Sequence, residues 1–381
     1  MFNKQNSQII MFMGAVIAYM MGSGFATGQE LLQYYVPYGN KAFFVGLILG
    51  VTLIFANAAF AYAGKVGRFS KGSQVFNFYC GPVFGHFFDW FTVVFCYMCF
   101  IVMVAGAGST LAQQYSLPLP IGTFAMTIAA ILTVGCGLNY LVEIIGRVGP
   151  VLAVLVVLIG IATLIVSGQN LETNIERINY DEIMLLKAAP NWFLSGISSG
   201  GLSILFMASF MARLGQKYNF LRLMWGQALG IVIYLGIVIL ITFALIANID
   251  LVAGSQVPNL LLAAHISPVL GEIFGLIIFT AIYTTACPLL WTAASRLSGE
   301  GSRRFKIITW LLALSGAIVA LFIPFNVLIN YIYVLNGYLG IIVLLFIVGK
   351  LLGHFISSRI ASFFSKSRRK PPAIRQPRGK F

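Results

Sequence analysis

Apolar residues run along this chain in long blocks separated by short polar stretches. A helix crossing about 30 Å of hydrocarbon needs about 20 predominantly apolar residues, whereas a membrane β-strand needs about 10. Ten blocks meet the helical requirement, over residues 7–35, 41–63, 84–115, 120–139, 148–168, 190–213, 221–249, 269–296, 305–324 and 327–350. The pattern predicts an all-α integral membrane protein with ten transmembrane helices. The first block continues from Met11 to Tyr35 with no A-x-A-like cleavage site, so it reads as a span rather than a leader.

Two blocks are interrupted near their middles, by Gly22, Ser23 and Gly24 in the first and by Ser198, Ser199, Gly200 and Gly201 in the sixth. Glycine inside a helix costs roughly 1 kcal/mol relative to alanine, and serine competes for local backbone groups. A straight helix over 9–36 would be about 42 Å long, more than the hydrocarbon requires. Unwinding at Gly22–Gly24 absorbs the excess and frees amides and carbonyls. In lipid those groups must be used or buried. Paired broken helices at corresponding positions of two halves point to a transporter binding site. The competing reading is small-residue packing, since Gly24 and Gly28 form a G-x-x-x-G.

The two interruptions lie five spans apart, so the halves have opposite orientation. This predicts a single domain over 1–350 built as a five-plus-five inverted repeat, 7–168 and 190–350, with helices 1 and 6 broken. Outside the spans, 169–189 carries Glu172, Glu176, Asp181 and Glu182, an acidic face able to concentrate cations. The run 260–264 is too short to span and predicts a re-entrant or interfacial helix.

Composition agrees with the pattern. Mean hydropathy is +0.93, 59% of residues are hydrophobic and 9% are charged, against about 25% charged in soluble domains. The net charge of +14 invites a nucleic-acid partner, but its distribution argues against one. Every Lys and Arg except Lys41, Arg177 and Lys187 falls on the side of the amino terminus. By the positive-inside rule both termini of this multi-pass membrane protein are cytoplasmic. The tail 351–381 holds many of those charges together with Pro371, Pro372 and Pro377, which predicts a disordered segment attracted to anionic lipids.

The polar residues inside spans narrow the chemistry. Cys80, Cys96, Cys99, Cys136 and Cys287 lie in or beside spans and read as structural thiols. Glu143 and Arg147 are spaced for a surface pair, and Asp89, near the cytoplasmic end of the third span, is expected to pair with Lys65 or Arg68. His86, His265 and His354 sit near span ends. No catalytic constellation shares one depth and no G-x-x-x-x-G-K-[ST] loop is present, so neither an enzyme nor an ATP-driven pump is expected. Glu30 stands out: it follows Gly24 by about 9 Å of helix, at a depth where a carboxylate costs about 2.5–3.5 kcal/mol. It reads as a gate, a ligand for a cationic group or a proton carrier, or as a watered carboxylate paired with Lys41.

The string Gly22-Ser-Gly-Phe-Ala-Thr-Gly-Gln-Glu30, together with Ser198-Ser-Gly-Gly-Leu-Ser-Ile204, resembles the YkvI-type bacterial membrane proteins of the amino acid–polyamine–organocation superfamily, which has the LeuT-type fold. The resemblance covers about 7–350. It implies substrate binding at Gly22, Ser23, Gly24 and Phe25, at Ser198, Ser199, Gly200 and Gly201, and at Tyr97. It implies sodium coordination by carbonyls of Ala18 and Met21 and hydroxyls of Thr284 and Thr285. For those threonines, back-bonding to the preceding turn is the other reading. The function implied is sodium-coupled transport of a small amine-bearing solute, an amino acid in the first instance, with sodium in place of any cofactor. A proton-coupled or uncoupled carrier for another small organic cation or zwitterion, or a non-transporting substrate sensor on the same fold, is the alternative. The resemblance also implies the bacterial cytoplasmic membrane.

Overall fold

A computed structural model describes residues 2–69, 71–136, 139–299 and 301–367, with the backbone alone for 2–6, 18, 23, 136, 139–150 and 354–367. The Glu143–Arg147 pair and His354 therefore lie outside the described side chains. The first span is three helices, α1 (Phe2–Met20), α2 (Ser23–Thr27) and α3 (Gln29–Tyr34), followed by a 3₁₀ turn over Val36–Lys41. Next come α4 (Ala42–Gly67), α5 (Gln74–Tyr115), α6 (Leu119–Cys136), α7 (Asn139–Ser167) and the short α8 (Leu171–Asn179). The second half comprises α9 (Trp192–Lys217), α10 (Phe220–Ala247), α11 (Ile249–Val252), α12 (Pro258–Ile266), α13 (Pro268–Leu297), α14 (Arg303–Phe322) and α15 (Phe325–Ser367). Among the described residues, eight helices are long and apolar enough to cross a membrane, with shorter apolar stretches over Ser7–Ile17 and Leu119–Gly135. These ten segments fall on the ten blocks of the sequence.

The first break is present. The Gly22 N–H donates to the Met20 carbonyl at 2.9 Å instead of to Ala18, its partner in a continued helix. Gly22 is extended and caps α2. A further break follows at Gly28, whose φ of 83° lies in the left-handed region that only glycine enters at no cost.

The expected break in the sixth span is absent. Residues 198–201 lie within α9, which has no interruption in its helical backbone. Small-residue packing is what those residues do. A Cβ on Gly201 would fall on the Gly337 carbonyl of α15, and one on Gly200 would meet Thr52 of α4 at 2.7 Å. Lipid offers no hydrophobic force between helices, so close backbone approach supplies the attraction, and glycine permits it. The serines stitch α9 to the first span: Ser195 Oγ donates to the Tyr34 carbonyl at 2.6 Å, and the Ser199 and Tyr35 hydroxyls share a bond at 3.1 Å.

Helix pairs α4–α9, α9–α15, α5–α13 and α1–α10 form the body. A kink in α5 shows how the fold handles an orphaned backbone group. Pro82 has no N–H for the Phe78 carbonyl, Gly81 turns to a φ of 75°, and Lys350 of α15 donates to that carbonyl. Asp89 pairs with Arg296 of α13, which also lies over the Trp90 ring at 5.2 Å, rather than with Lys65 or Arg68. The carboxyl-terminal helix does not stop at 350: α15 continues to Ser367, so the tail expected to be disordered from 351 starts as helix. Residues 368–381, with most of its charge, lie outside the described residues.

Candidate functional site

The first break opens into a cavity of about 310 Å³. Its wall is built by α1 and α2 through Met20, Met21, Gly22 and Gly24, by α3 through Glu30, and by α5 through Cys99 and Met103. Leu202, Ser203 and Phe206 of α9, Tyr234 of α10, Ala281, Thr284, Thr285, Pro288 and Leu289 of α13, and Tyr333 of α15 complete most of it. Tyr19 lines it as well. It is the one exposed lining side chain among the described residues, at 43%, and its hydroxyl ties α1 to α9 by donating to the Phe206 carbonyl at 2.8 Å.

Gly24 makes room for the polar end of the cavity. A Cβ there would lie 2.9 Å from Tyr333 Cε2 and 3.2 Å from Glu30 Oε2, so both side chains fold over bare backbone. Glu30 has no basic partner within ion-pair distance among the described residues, which removes the expected pairing with Lys41. On the opposite wall, Thr284 and Thr285 Oγ1 donate to the Ala281 carbonyl at 2.8 and 3.1 Å. Back-bonding spends their protons and leaves hydroxyl lone pairs for the cavity. Pro288 lies four residues after Thr284 and has no N–H to give the Thr284 carbonyl. At the kink in α5 a lysine fills that need; among the described residues no basic side chain lines this cavity.

The other side of the break is closed by carboxamides. Asn259 of α12 donates to the carbonyls of Phe25 and Ala26, at 3.1 Å each, and packs on Gly28. Gln29 donates to the Ser255 carbonyl at 2.8 Å. Gln33 donates to the Asn326 carbonyl at 2.8 Å and to Gln29 Oε1 at 3.2 Å, and accepts from Asn330 at 3.0 Å. Gln256 and Asn326 bond each other twice, while Gln113 Oε1 holds the amides of Gln256 and Val257. The short helix expected at 260–264 is thus α12, and it forms part of this lid. In the acidic segment two of the four carboxylates are paired, Glu182 with Arg177, which also binds Asp250, and Asp181 with Lys187.

Of the residues singled out in the sequence, Met21, Gly22, Gly24, Glu30, Thr284 and Thr285 come together around one cavity. Phe25 is fully buried behind it, 5.5 Å from the ring of Tyr234. Ala18 lies in α1 and Ser23 starts α2; their side chains lie outside the described ones. Tyr97 does not line the cavity, because its hydroxyl bonds Ser315 of α14 at 2.7 Å. Ser198, Ser199, Gly200 and Gly201 do not line it either; the next turn of α9 does. The sequence reading missed Tyr19, Cys99, Tyr234 and Tyr333. The available signal was Pro288, which marks a loosened carbonyl beside two threonines.

No protein-family model matches the chain, and no curated protein matches it in sequence. Solved structures do. Two mutant forms of a manganese transporter from Eremococcus coleocola superimpose with TM-scores of 0.53 and 0.52, each at 13% identity and covering 97% of this chain and 90% of the other. At that identity the likeness establishes the fold. The protein is an all-α, multi-pass membrane protein with the fold of a membrane transporter.

Proposed function

We propose that this protein is a secondary active transporter that moves a small amine-bearing solute by alternating access, with sodium as coupling ion. One observation carries the reading: the first span opens its backbone into the wall of a cavity, with hydrogen-bonded carboxamides closing the other side of the break. A solute in that cavity is released by whichever seal opens. Sodium is a hard cation that takes oxygen ligands. The carbonyls of Ala18 and Met21, the hydroxyls of Thr284 and Thr285 and the carbonyl loosened by Pro288 supply such oxygens. The resemblance to amino acid–polyamine–organocation carriers supports the same residues and names amino acids as the first cargo class. The charge asymmetry of the sequence supports a cytoplasmic amino terminus in a bacterial inner membrane, with the carboxamide seal outside.

The test is uptake into proteoliposomes under an inward sodium gradient, with a thermal-shift comparison of sodium and potassium on the purified protein. Accumulation that needs the sodium gradient and is lost in Thr284→Val with Thr285→Val is expected. Binding with no flux of any solute would make the protein a sensor, and uptake indifferent to the gradient would remove sodium coupling.

A further inference from the structure

Among the described residues the cavity wall carries one formal charge, and it is negative. We propose that the transported solute is an organic ammonium ion that bears no carboxylate; this rests on the transporter reading of the same cavity. An amino acid would bring a second carboxylate to Glu30, into a space with low polarity and no basic side chain. Like charges there repel far more strongly than in water. A carboxylate could instead be met by free backbone amides, as two broken helices would provide. The unbroken α9 spends its amides within the helix, and α2 is little more than one turn.

The remaining wall suits the cation. Tyr19, Phe206, Tyr234 and Tyr333 line the same cavity as the single carboxylate, and a wall of one carboxylate and aromatic rings attracts an ammonium ion. The cavity volume of about 310 Å³ lies at the low end of small-molecule pockets, roughly 300–1,000 Å³, so the ion is small. A divalent metal is poorly served. Among the described residues no three His, Cys, Asp or Glu side chains converge, so Glu30 and the Cys99 thiol are the acidic and thiol groups it would find in this wall.

Matched pairs that differ by one carboxylate test the proposal: ethanolamine against serine, isobutylamine against valine, and tyramine against tyrosine. Affinities are measured by titration calorimetry on the full chain in detergent, in sodium chloride and in potassium chloride, with manganese(II) as a further ligand. At least one amine should bind tenfold or more tighter than its amino acid in both salts, equivalent to about 1.4 kcal/mol. Glu30→Gln should abolish that discrimination, while Glu30→Asp, which keeps the charge, should retain it. The proposal is overturned if an amino acid binds as tightly as its amine in either salt, if no amine binds, if Glu30→Gln still discriminates, or if manganese(II) binds more tightly than every amine. Flux of the same pairs in proteoliposomes separates the two readings. Amine-selective binding with no flux removes the transporter and keeps the ligand class; flux of amino acids but not amines does the reverse.

Discussion

Gln33 sits at the centre of the carboxamide lattice on the α12 side, and Gln33→Leu should let solvent reach the cavity from that side. Its side chain makes three hydrogen bonds, to the Asn326 carbonyl at 2.8 Å, to Gln29 at 3.2 Å and from Asn330 at 3.0 Å. Each is worth about 0.5–1.5 kcal/mol net, because opening exchanges it for water. Losing all three weakens the closed side by roughly 1.5–4.5 kcal/mol, or about tenfold to a thousandfold in the closed-to-open ratio. Cys99 is a native reporter, since it lines the cavity and is otherwise buried. With Cys80, Cys96, Cys136 and Cys287 replaced by alanine, a membrane-impermeant maleimide is applied to one face of sealed vesicles. Labelling of Cys99 from the α12 side should rise at least tenfold in Gln33→Leu and change little from the Tyr19 side. A rise of less than twofold, in protein that still elutes as one folded species, would mean the lattice is not what closes that side.

Three further outcomes follow from the geometry. Gly28→Ala places a Cβ 2.5 Å from Asn259 Oδ1 at a φ of 83°, so it should lower stability by at least about 1–2 kcal/mol in thermal unfolding, whereas Gly236→Ala, with nothing within 4 Å, should cost nothing. Pro288→Ala gives the Thr284 carbonyl a helical donor; stabilisation by sodium should fall severalfold, and an unchanged sodium shift would remove that carbonyl from the ion's coordination. The bidentate bond from Arg177, at 2.8 and 2.9 Å, holds the Asp250 carboxyl below the usual aspartate range. A depressed carboxyl contributes stability above its unfolded pKa, near 3.9, and loses it as pH falls through the lower folded value. Asp250→Asn should therefore show a small deficit at pH 7 that vanishes in acid; a deficit that persists at pH 2 would assign it to packing instead.

The all-helical membrane architecture, the first break and the α12 helix were legible because each rests on local chemistry: run length, a glycine at the start of a new turn, a run too short to cross. The polar face of the cavity was legible for a related reason. Glu30 is costly at its depth unless something uses it; Thr284 and Thr285 were picked out by the family resemblance, and the proline four residues after Thr284 is a local signal that reading left unused. The sixth span was not legible. Gly22-Ser-Gly24 and Ser198-Ser-Gly-Gly201 use the same two residue types, which serve equally to end a helix and to let two helices touch. What separates them is the neighbour across the gap. Gly201 lies against the Gly337 carbonyl and Gly340 against that of Gly201, a reciprocal contact between segments far apart in sequence. Gly22 meets nothing within 4 Å, so no packing gain compensates a helix there and the backbone is free to open. Tyr97, Tyr234 and Tyr333 were indistinguishable for the same reason, since a tyrosine acquires its role from the hydroxyl or cavity it happens to face. One break is enough for a cation site, because a carboxylate, ring faces and loosened carbonyls already attract positive charge. A zwitterion also needs a positive pole, and among the described residues no basic side chain of the wall supplies one. The loss of the sixth-span break therefore moves the cargo toward a simple ammonium ion.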